Sequence, residues 1–309
     1  MSMIVSTSPH MRAKTDSASI MRDVCIALSP ALIAGIAIFG PQSLLVTAVC
    51  VISAVMTEYI YEKVCKLPVT VGDWSAVITG ALLAFNLPVT IPLWQAAFGS
   101  IVAILVVKQL FGGLGRNFAN PAIVGRIVLF LSFSKTMTNW TAPSYGVDAV
   151  TTATPLAIMK TGGELPSLLD MFLGVKGGCI GEVSVLALLI GFAYLMIRKV
   201  ITWHTPVAFV GTVFVFSFIA RGDFFYALNQ IMAGGLMLGA IFMATDYVTT
   251  PPTKSGRFIF GLGCGILTVL IRQFGNYAEG VSFAILFMNI LTPYIAKWTR
   301  TKPFGGVKA

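Results

Sequence analysis

The sequence predicts an all-α polytopic membrane protein with about ten transmembrane helices, arranged as two inverted five-helix repeats. Of its 309 residues, 56% are hydrophobic and only 11% are charged, whereas globular domains in water carry about 25% charged residues. Apolar runs of roughly 17–22 residues recur along the chain, which is the length that crosses a bilayer as an α-helix. This composition excludes a soluble enzyme. It also assigns the net charge of +9 to the loops of a membrane protein rather than to a nucleic-acid surface.

Ten apolar segments account for the predicted helices. The first is expected to be interrupted by Pro30 and the third to close at Pro88 and Pro92, because proline breaks or ends a helix. The fifth is short, which predicts a half-helix or a steeply packed one. The segments cover residues 24–40, 43–61, 74–92, 94–112, 119–134, 180–197, 203–220, 229–245, 258–274 and 279–296.

The basic residues predict the orientation of these helices. With the N-terminus inside and the loops assigned alternately, 16 of the 21 Lys and Arg residues fall on the inner side, as the positive-inside rule requires. Both termini are then cytoplasmic and the 135–179 loop is extracytoplasmic, in a bacterial or archaeal cell membrane. The inner basic residues are Arg12, Lys14, Arg22, Lys63, Lys66, Lys108, Arg116, Arg126, Arg198, Lys199, Lys254, Arg257, Lys297, Arg300, Lys302 and Lys308. The outer ones are Lys135, Lys160, Lys176, Arg221 and Arg272.

This topology divides the chain into two halves around one long loop. A cytoplasmic tail (1–22) precedes the first transmembrane repeat (23–134), and the loop (135–179) leads to the second repeat (180–297) and a C-terminal tail (298–309). Because each half has five spans, a duplication gives repeats of opposite orientation, as in many transporters. Phe-Ala, Asn and Pro occur in the same order near the end of each half, and this weak sequence similarity agrees with a duplication.

Residues 148–157 form a polar, threonine-rich island in the longest loop. Pro155 follows Thr154, which predicts a helix start with Thr154 as its N-cap. The free backbone N–H groups and the positive dipole end of a helix start also suit a phosphate. Spacing alone leaves two interpretations open, an ordinary helix cap and an attachment site for a phosphate-bearing group.

Two acidic residues lie near the inner ends of predicted spans. Glu58 is in the last turn of the second span and Asp246 is at the end of the eighth. One interpretation is that both are solvated at the interface. The other is that both are buried, where carboxylates are costly and mark function. Their oxygens would then serve an ion path for a hard cation such as Na⁺. No metal centre is expected, because the five Cys and two His are not at ligand spacing.

Short stretches distributed in order along the whole chain carry a resemblance to one family. They are 21–24, 27–32, 72–80, 112–117, 120–122, 244–249 and 279–289. On these stretches the chain resembles the RnfD/NqrB family, the membrane subunits of Rnf electron transport complexes and of sodium-pumping NADH:quinone reductases. Its short N-terminus is more similar to the RnfD branch.

The resemblance implies a covalent flavin. In this family an Asp precedes the pattern Ser/Thr-Gly/Ala-Ala-Thr, and FMN is esterified through its phosphate to the last Thr. The corresponding residues here are Thr151-Thr152-Ala153-Thr154, so the resemblance implies FMN on Thr154, with Asp148, Thr151 and Thr152 shaping the site. Thr152 stands where Gly or Ala is more usual, which adds bulk beside the acceptor.

The resemblance also implies an activity and partners. The activity would be electron transfer between ferredoxin and NAD⁺, coupled to Na⁺ or H⁺ translocation. This subunit would take electrons from an outward-facing covalent-FMN subunit, alongside membrane iron–sulfur subunits, and pass them inward through a second, non-covalent flavin (riboflavin). Ferredoxin and NAD⁺ would act on other subunits, and a flavin transferase would attach the FMN. Two alternatives stay open, an NqrB-like quinone-reductase subunit and a solute or ion transporter without redox chemistry.

A glycine-rich stretch at residues 112–117 follows the fourth span. A dinucleotide-binding loop would follow a strand, so that interpretation is weak. Close helix packing or a re-entrant turn is one explanation. The other explanation is that Arg116, Asn117 and Asn120 form part of the pocket for the second, inner flavin.

Overall fold

The computed structural model describes residues 16–141, 153–161, 163, 165–275 and 279–300. Within these ranges the chain forms fourteen α-helices and no β-strand, so the all-α fold class is confirmed. The helices are α1 Ser17–Phe39, α2 Pro41–Val64, α3 Ser75–Phe85, α4 Leu93–Val102, α5 Pro121–Ser132, α6 Ser134–Met137, α7 Pro155–Thr161, α8 Leu168–Leu173, α9 Val185–Ile197, α10 His204–Arg221, α11 Phe224–Met232, α12 Leu236–Leu238, α13 Lys254–Phe274 and α14 Val281–Trp298.

The membrane character of the chain follows from the length and apolarity of these helices. Five of them, α1, α2, α10, α13 and α14, are long and apolar enough to cross a membrane. A sixth span is formed if α11 and α12 are taken together, with a bend of 65° between them. Shorter apolar helices, α3, α4, α5 and α9, account for the remaining predicted segments. The protein is therefore a multi-pass membrane protein.

The first predicted span is not interrupted at Pro30, since α1 runs unbroken from Ser17 to Phe39. Several other predicted spans differ from the structure at their ends or in their interiors, where a helix is shorter, is broken or changes type. The third ends as a helix at Phe85, three residues before Pro88, since proline cannot donate a hydrogen bond to the helix. The sixth begins at Val185 rather than at residue 180. The fourth continues from α4 as a π-helix over Ala103–Gln109. The eighth breaks between α11 and α12, where Gly234 has a positive φ of 65°, and then continues as a π-helix over Gly239–Met243.

Two irregular segments, the one after α3 and the one before α9, satisfy each other's backbone hydrogen-bonding groups inside the helix bundle. The N–H of Ile180 donates to the carbonyl of Leu87 at 3.1 Å, and the N–H of Gly181 donates to the carbonyl of Phe85 at 3.0 Å. A Cβ at position 181 would collide with the Phe85 ring, so this approach requires glycine. Non-helical backbone at membrane depth is stable only where protein satisfies its polar groups, and these bonds meet that condition.

The two halves share several helix contacts. In the first half α2 packs against α3 and α4, and in the second α10 packs against α11 and α13. Likewise α4 contacts α5, and α13 contacts α14. Across the halves, α1 packs on α9 and α5 packs on α14. This correspondence agrees with two copies of one five-helix unit.

Candidate functional site

Thr154 is the N-cap of a helix, as the sequence predicts. Its hydroxyl accepts a hydrogen bond from the N–H of Ala157 at 3.3 Å, and its carbonyl accepts one from Ile158 at 3.0 Å. Pro155 is the first residue of α7, a position where the missing N–H costs nothing. The buried side chains of Leu156 and Met159 hold α7 against Met171 and Ala233, so Thr154 is fixed beside the break between α11 and α12.

Thr154 lines a cleft of about 960 Å³ between α5, α7, α14 and the segment before α9. We call it the Thr154 cleft. One part of its wall is aromatic and the other is charged. The aromatic residues are Phe130, Trp140 and Phe283, and the charged ones are Arg126, Lys176, Glu182 and Glu279.

A largely buried ion pair forms part of the charged wall. Arg126 Nη2 lies 2.6 Å from Glu279 Oε2, and Arg126 Nη1 donates to Ser282 Oγ at 2.7 Å. The other oxygen of Glu279 accepts a hydrogen bond from the N–H of Gly235. Arg126 was predicted among the inner basic residues, but it is buried in the middle of α5 beside residues whose predicted side is outer. Its partner is 153 residues away, so no local pattern indicates the pair.

Two further buried charges line the same cleft. Lys176 is 3% exposed and its ammonium donates to the carbonyl of Met232. Burial lowers the pKa of Lys176 to about 8. Glu182 Oε1 accepts from the N–H of Cys179 at 3.0 Å, whereas its Oε2 is buried and has no hydrogen-bond partner among the described residues. Leaving such an atom unsatisfied costs about 1–3 kcal/mol or more, so this oxygen is an acceptor suited to a donor within the cleft.

A second cleft, of about 870 Å³, lies at the N-terminal end of α5. We call it the Asp246 cleft. Asn120 caps α5, since its Oδ1 accepts from the N–H of Ala122 at 3.0 Å, and its Nδ2 donates to the carbonyl of Met243 at 3.4 Å. Asn117 and Asp246 also line the cleft. The structure therefore brings together three of the residues that the sequence analysis proposed near the inner face.

Arg116, which the sequence analysis proposed for the same pocket, does not line it. It is exposed and its side chain lies over Gly112, whose φ of +104° requires glycine. The cation in the lining is Lys108 instead. Lys108 was not predicted as a site residue, because a fourth span that stays α-helical to about residue 112 would place Lys108 at the membrane interface. The π-helical segment changes the register of its side chains.

Glu58 is fully buried and paired, so the interfacial interpretation is wrong for this residue. Lys108 Nζ lies 2.6 Å from Glu58 Oε1 and also donates to Ser75 Oγ. Gln109 Nε2 donates to the same Glu58 oxygen at 3.1 Å. Because α2 continues to Val64, Glu58 is also more than one turn from the helix end. The cation that balances this carboxylate is an ammonium group of the chain itself.

Asp246 belongs to a different network. It is partly exposed, lies just after the π-helical segment of the eighth span, and accepts from Thr249 Oγ1 at 3.0 Å. It lines the Asp246 cleft directly, whereas Glu58 reaches that cleft only through Lys108 and Ser75. The remaining predicted site residues, Asp148, Thr151 and Thr152, lie outside the described residues.

Comparisons with known proteins cover nearly the whole chain. The model of the NQR2, RnfD, RnfE family matches residues 4–305. The chain belongs to this family. It is 48% identical to the D-subunit of the Na(+)-translocating ferredoxin:NAD(+) oxidoreductase complex of Acetobacterium woodii, over 100% of this chain and 97% of the relative.

Two other members of the family have lower sequence identity to this chain. The D-subunit of the proton-translocating ferredoxin:NAD(+) oxidoreductase complex of Clostridium ljungdahlii is 45% identical, over 97% of this chain and 96% of that protein. The D-subunit of the ion-translocating oxidoreductase complex of Cronobacter sakazakii is 35% identical, over 97% of this chain and 98% of that protein. The resemblance inferred from short stretches is thus confirmed. The names of these relatives specify different transported ions: Na(+) in the first, a proton in the second and an unspecified ion in the third.

Proposed function

We propose that this chain is the RnfD-type subunit of an ion-translocating ferredoxin:NAD⁺ oxidoreductase complex, in which it relays electrons across the membrane and couples that transfer to Na⁺ or H⁺ transport. The full-length similarity to the corresponding subunits of two ferredoxin:NAD⁺ oxidoreductase complexes supports this function. Ferredoxin and NAD⁺ act on other subunits of the complex. The partners of this chain are the outward-facing covalent-FMN subunit and the membrane iron–sulfur subunits.

The observation that carries the proposal is the position of the Thr154 hydroxyl at a cleft with the chemistry of a flavin site. The aromatic wall suits the flat isoalloxazine ring. Arg126 and Lys176 offer positive charge to a phosphate ester. The unsatisfied oxygen of Glu182 accepts from a ring N–H or a ribityl hydroxyl. These residues fit FMN held by a phosphoester on Thr154.

A flavin supplies one- and two-electron redox chemistry, and the residues of the chain hold and orient it. Thr154 tethers the phosphate so that retention does not depend on affinity. The Asp246 cleft suits a second, non-covalent flavin such as riboflavin, because Asn117, Asn120 and Asp246 offer hydrogen bonds beside an apolar wall. Arg116 is not part of this proposal, and Lys108 takes its place.

The orientation in the membrane belongs to the same proposal. Both termini face the cytoplasm and the 135–179 loop faces outward, where a flavin transferase and the flavoprotein partner reach Thr154. The excess of Lys and Arg in the inner loops supports this orientation. Lys108 and Arg126, which are buried inside the helix bundle, do not contribute to that excess.

Gel fluorescence after denaturation tests the covalent flavin. The chain is produced in its native host and run on a denaturing gel under ultraviolet light, since a phosphoester survives denaturation. We expect a fluorescent band in the wild type and none in Thr154→Ala. Thr154→Ser is the matched variant, because it keeps both the hydroxyl acceptor and the helix cap. A wild-type band without fluorescence would exclude the covalent flavin.

Two alternative functions predict different results. A solute or ion transporter without redox chemistry would contain no flavin, covalent or free, when the purified complex is analysed by mass and absorbance. A quinone-reductase subunit of the NqrB type would support quinone reduction. We expect flavin in the complex, and ferredoxin-dependent reduction of NAD⁺ rather than of quinone.

A further inference from the structure

A third cavity, of about 660 Å³, lies beside α7 and is separated from the Thr154 cleft by Leu156, which lines both. We call it the Arg272 cavity. Its lining contains three basic side chains, from Lys160, Arg221 and Arg272, and no acidic residue among the described positions. The cavity therefore combines a concave shape with a positively charged lining.

Arg272 is the buried basic residue in the lining of this cavity. It is 4% exposed, and its hydrogen bonds to the described residues all go to uncharged acceptors. Nη1 donates to the carbonyl of Gln230 at 2.6 Å, and Nη2 donates to that of Ala233 at 3.1 Å. Its Nε is buried and has no hydrogen-bond partner in the described part of the chain. No carboxylate of those residues lies within 4.0 Å of it. Glu279 and Glu182 act on its charge only from a greater distance, and a buried cation that lacks a contacting counter-ion is costly.

The rim of the cavity presents further donors. Arg221, the last residue of α10, lies 4.9 Å from the centre of the Tyr226 ring and is exposed. The Tyr226 hydroxyl oxygen accepts from Gln230 Nε2 and from Gln273 Nε2, each at 3.1 Å. Because these two amides occupy its lone pairs, the hydroxyl proton remains for a third group that accepts a hydrogen bond.

We propose that the Arg272 cavity binds an anion of the phosphate class, either the headgroup of a phospholipid or free phosphate. The guanidinium groups of Arg221 and Arg272 match the geometry of phosphate oxygens. Both residues lie in the last turn of apolar helices, α10 and α13, and the ends of membrane-spanning helices are where lipid headgroups are met. The sequence predicts only five outer basic residues, and three of them line this one cavity. A bound anion would explain why these three basic side chains lie together.

The test measures anion binding to the purified full-length chain. Inorganic phosphate is titrated by calorimetry in a neutral detergent, with chloride at equal ionic strength as the reference. In a second arm, phosphatidylglycerol and phosphatidylcholine are compared by native mass spectrometry of the delipidated chain. Binding of inorganic phosphate identifies free phosphate as the ligand. Preferential retention of phosphatidylglycerol, without phosphate binding, identifies the lipid headgroup.

Variants assign the binding to this cavity. We expect Arg221→Gln to weaken it ~10-fold, the effect of losing a charge-assisted hydrogen bond, and Arg272→Gln to abolish it. Lys135→Gln removes an exposed basic residue of the 135–179 loop that does not line the cavity, and this variant is expected to bind normally. Arg221→Gln changes an exposed residue, so the test holds even if Arg272→Gln does not fold.

Three outcomes overturn the proposal. One is that neither phosphate nor phosphatidylglycerol binds the wild type, and another is that Lys135→Gln weakens binding as much as Arg221→Gln. The third concerns the neighbouring Thr154 cleft. Binding that occurs only in Thr154→Ala would mean that the phosphate of the tethered flavin fills the cavity in the wild type, and a separate anion site would not exist.

Discussion

The guanidinium of Arg126 on α5 and the carboxylate of Glu279, two residues before α14, form an ion pair with an Nη2–Oε2 distance of 2.6 Å. Each belongs to the last apolar helix of its half of the chain or to the residues that precede it. Because Glu279 also accepts from Gly235, the pair joins both halves to the break between α11 and α12. It therefore supports the wall of the Thr154 cleft as well as the contact between the halves.

Removing one member of this pair is expected to destabilise the protein strongly. Arg126→Met or Glu279→Met leaves an uncompensated buried charge, which costs about 3–5 kcal/mol. The free energy of unfolding is measured by denaturant titration in mixed micelles. The double variant Arg126→Met/Glu279→Met should lose less than the sum of the single losses. Arg198→Gln is the control, since the Arg198–Asp23 pair is half-exposed on the arginine side and is worth roughly 0–1 kcal/mol. Equal losses in Arg126→Met and Arg198→Gln would contradict the prediction.

Glu58 and Asp246 are expected to be needed for ion coupling. Glu58→Gln removes the charge that balances buried Lys108, and Asp246→Asn removes the acid that lines its cleft. We expect ion transport driven by electron transfer to fall ~10-fold or more, the consequence of about 1.4 kcal/mol. The complex is reconstituted in vesicles, and Na⁺ and H⁺ uptake are both followed. Asp170→Asn, in the loop helix α8, should transport normally. Unchanged coupling in both Glu58→Gln and Asp246→Asn would reject a role in the ion path.

Lys176 is expected to make the protein more stable as the pH rises above about 8. Burial lowers its pKa from 10.5 to about 8, so between these values the unfolded chain binds a proton that the folded chain has released. The free energy of unfolding therefore increases with pH in this window. Unfolding is measured at several pH values from about 7 to about 10. Lys176→Gln should lack this increase, and parallel curves for the wild type and the variant would show that the amine does not titrate as stated.

Gly191 is expected to be needed for the close packing of α9 on α1. A Cβ at this position would overlap the carbonyl oxygen of Ala27 and lie 2.9 Å from the Phe242 ring. Gly191→Ala should lower the free energy of unfolding by about 1–3 kcal/mol, the usual cost of overpacking. Gly211 in α10 has no atom within 4 Å of the corresponding position. Gly211→Ala should therefore be neutral or stabilising by up to ~1 kcal/mol, and similar losses in the two variants would be inconsistent with a packing effect.

The site residues divide according to the range of the interactions that fix them. Thr154 was identified as a cap because capping depends on residues within one turn, here Thr154, Pro155 and Ala157. Asn117 and Asn120 were identified through the resemblance of their stretch to a family. Lys108 was missed, since the partner that draws it into the bundle is 50 residues away and the π-helical segment that orients it has no local signature.

The sequence by itself determined the membrane class, the ten apolar segments and the position of Thr154 at a helix start. Each of these depends on composition or on hydrogen bonds between near neighbours. The tertiary structure alone decided where helices break, which charges are paired and which side chains share a cleft. The physical reason is that a buried charge or an unpaired backbone group is stable only beside its partner. For Arg126 that partner is 153 residues distant, and only the folded chain brings the two together.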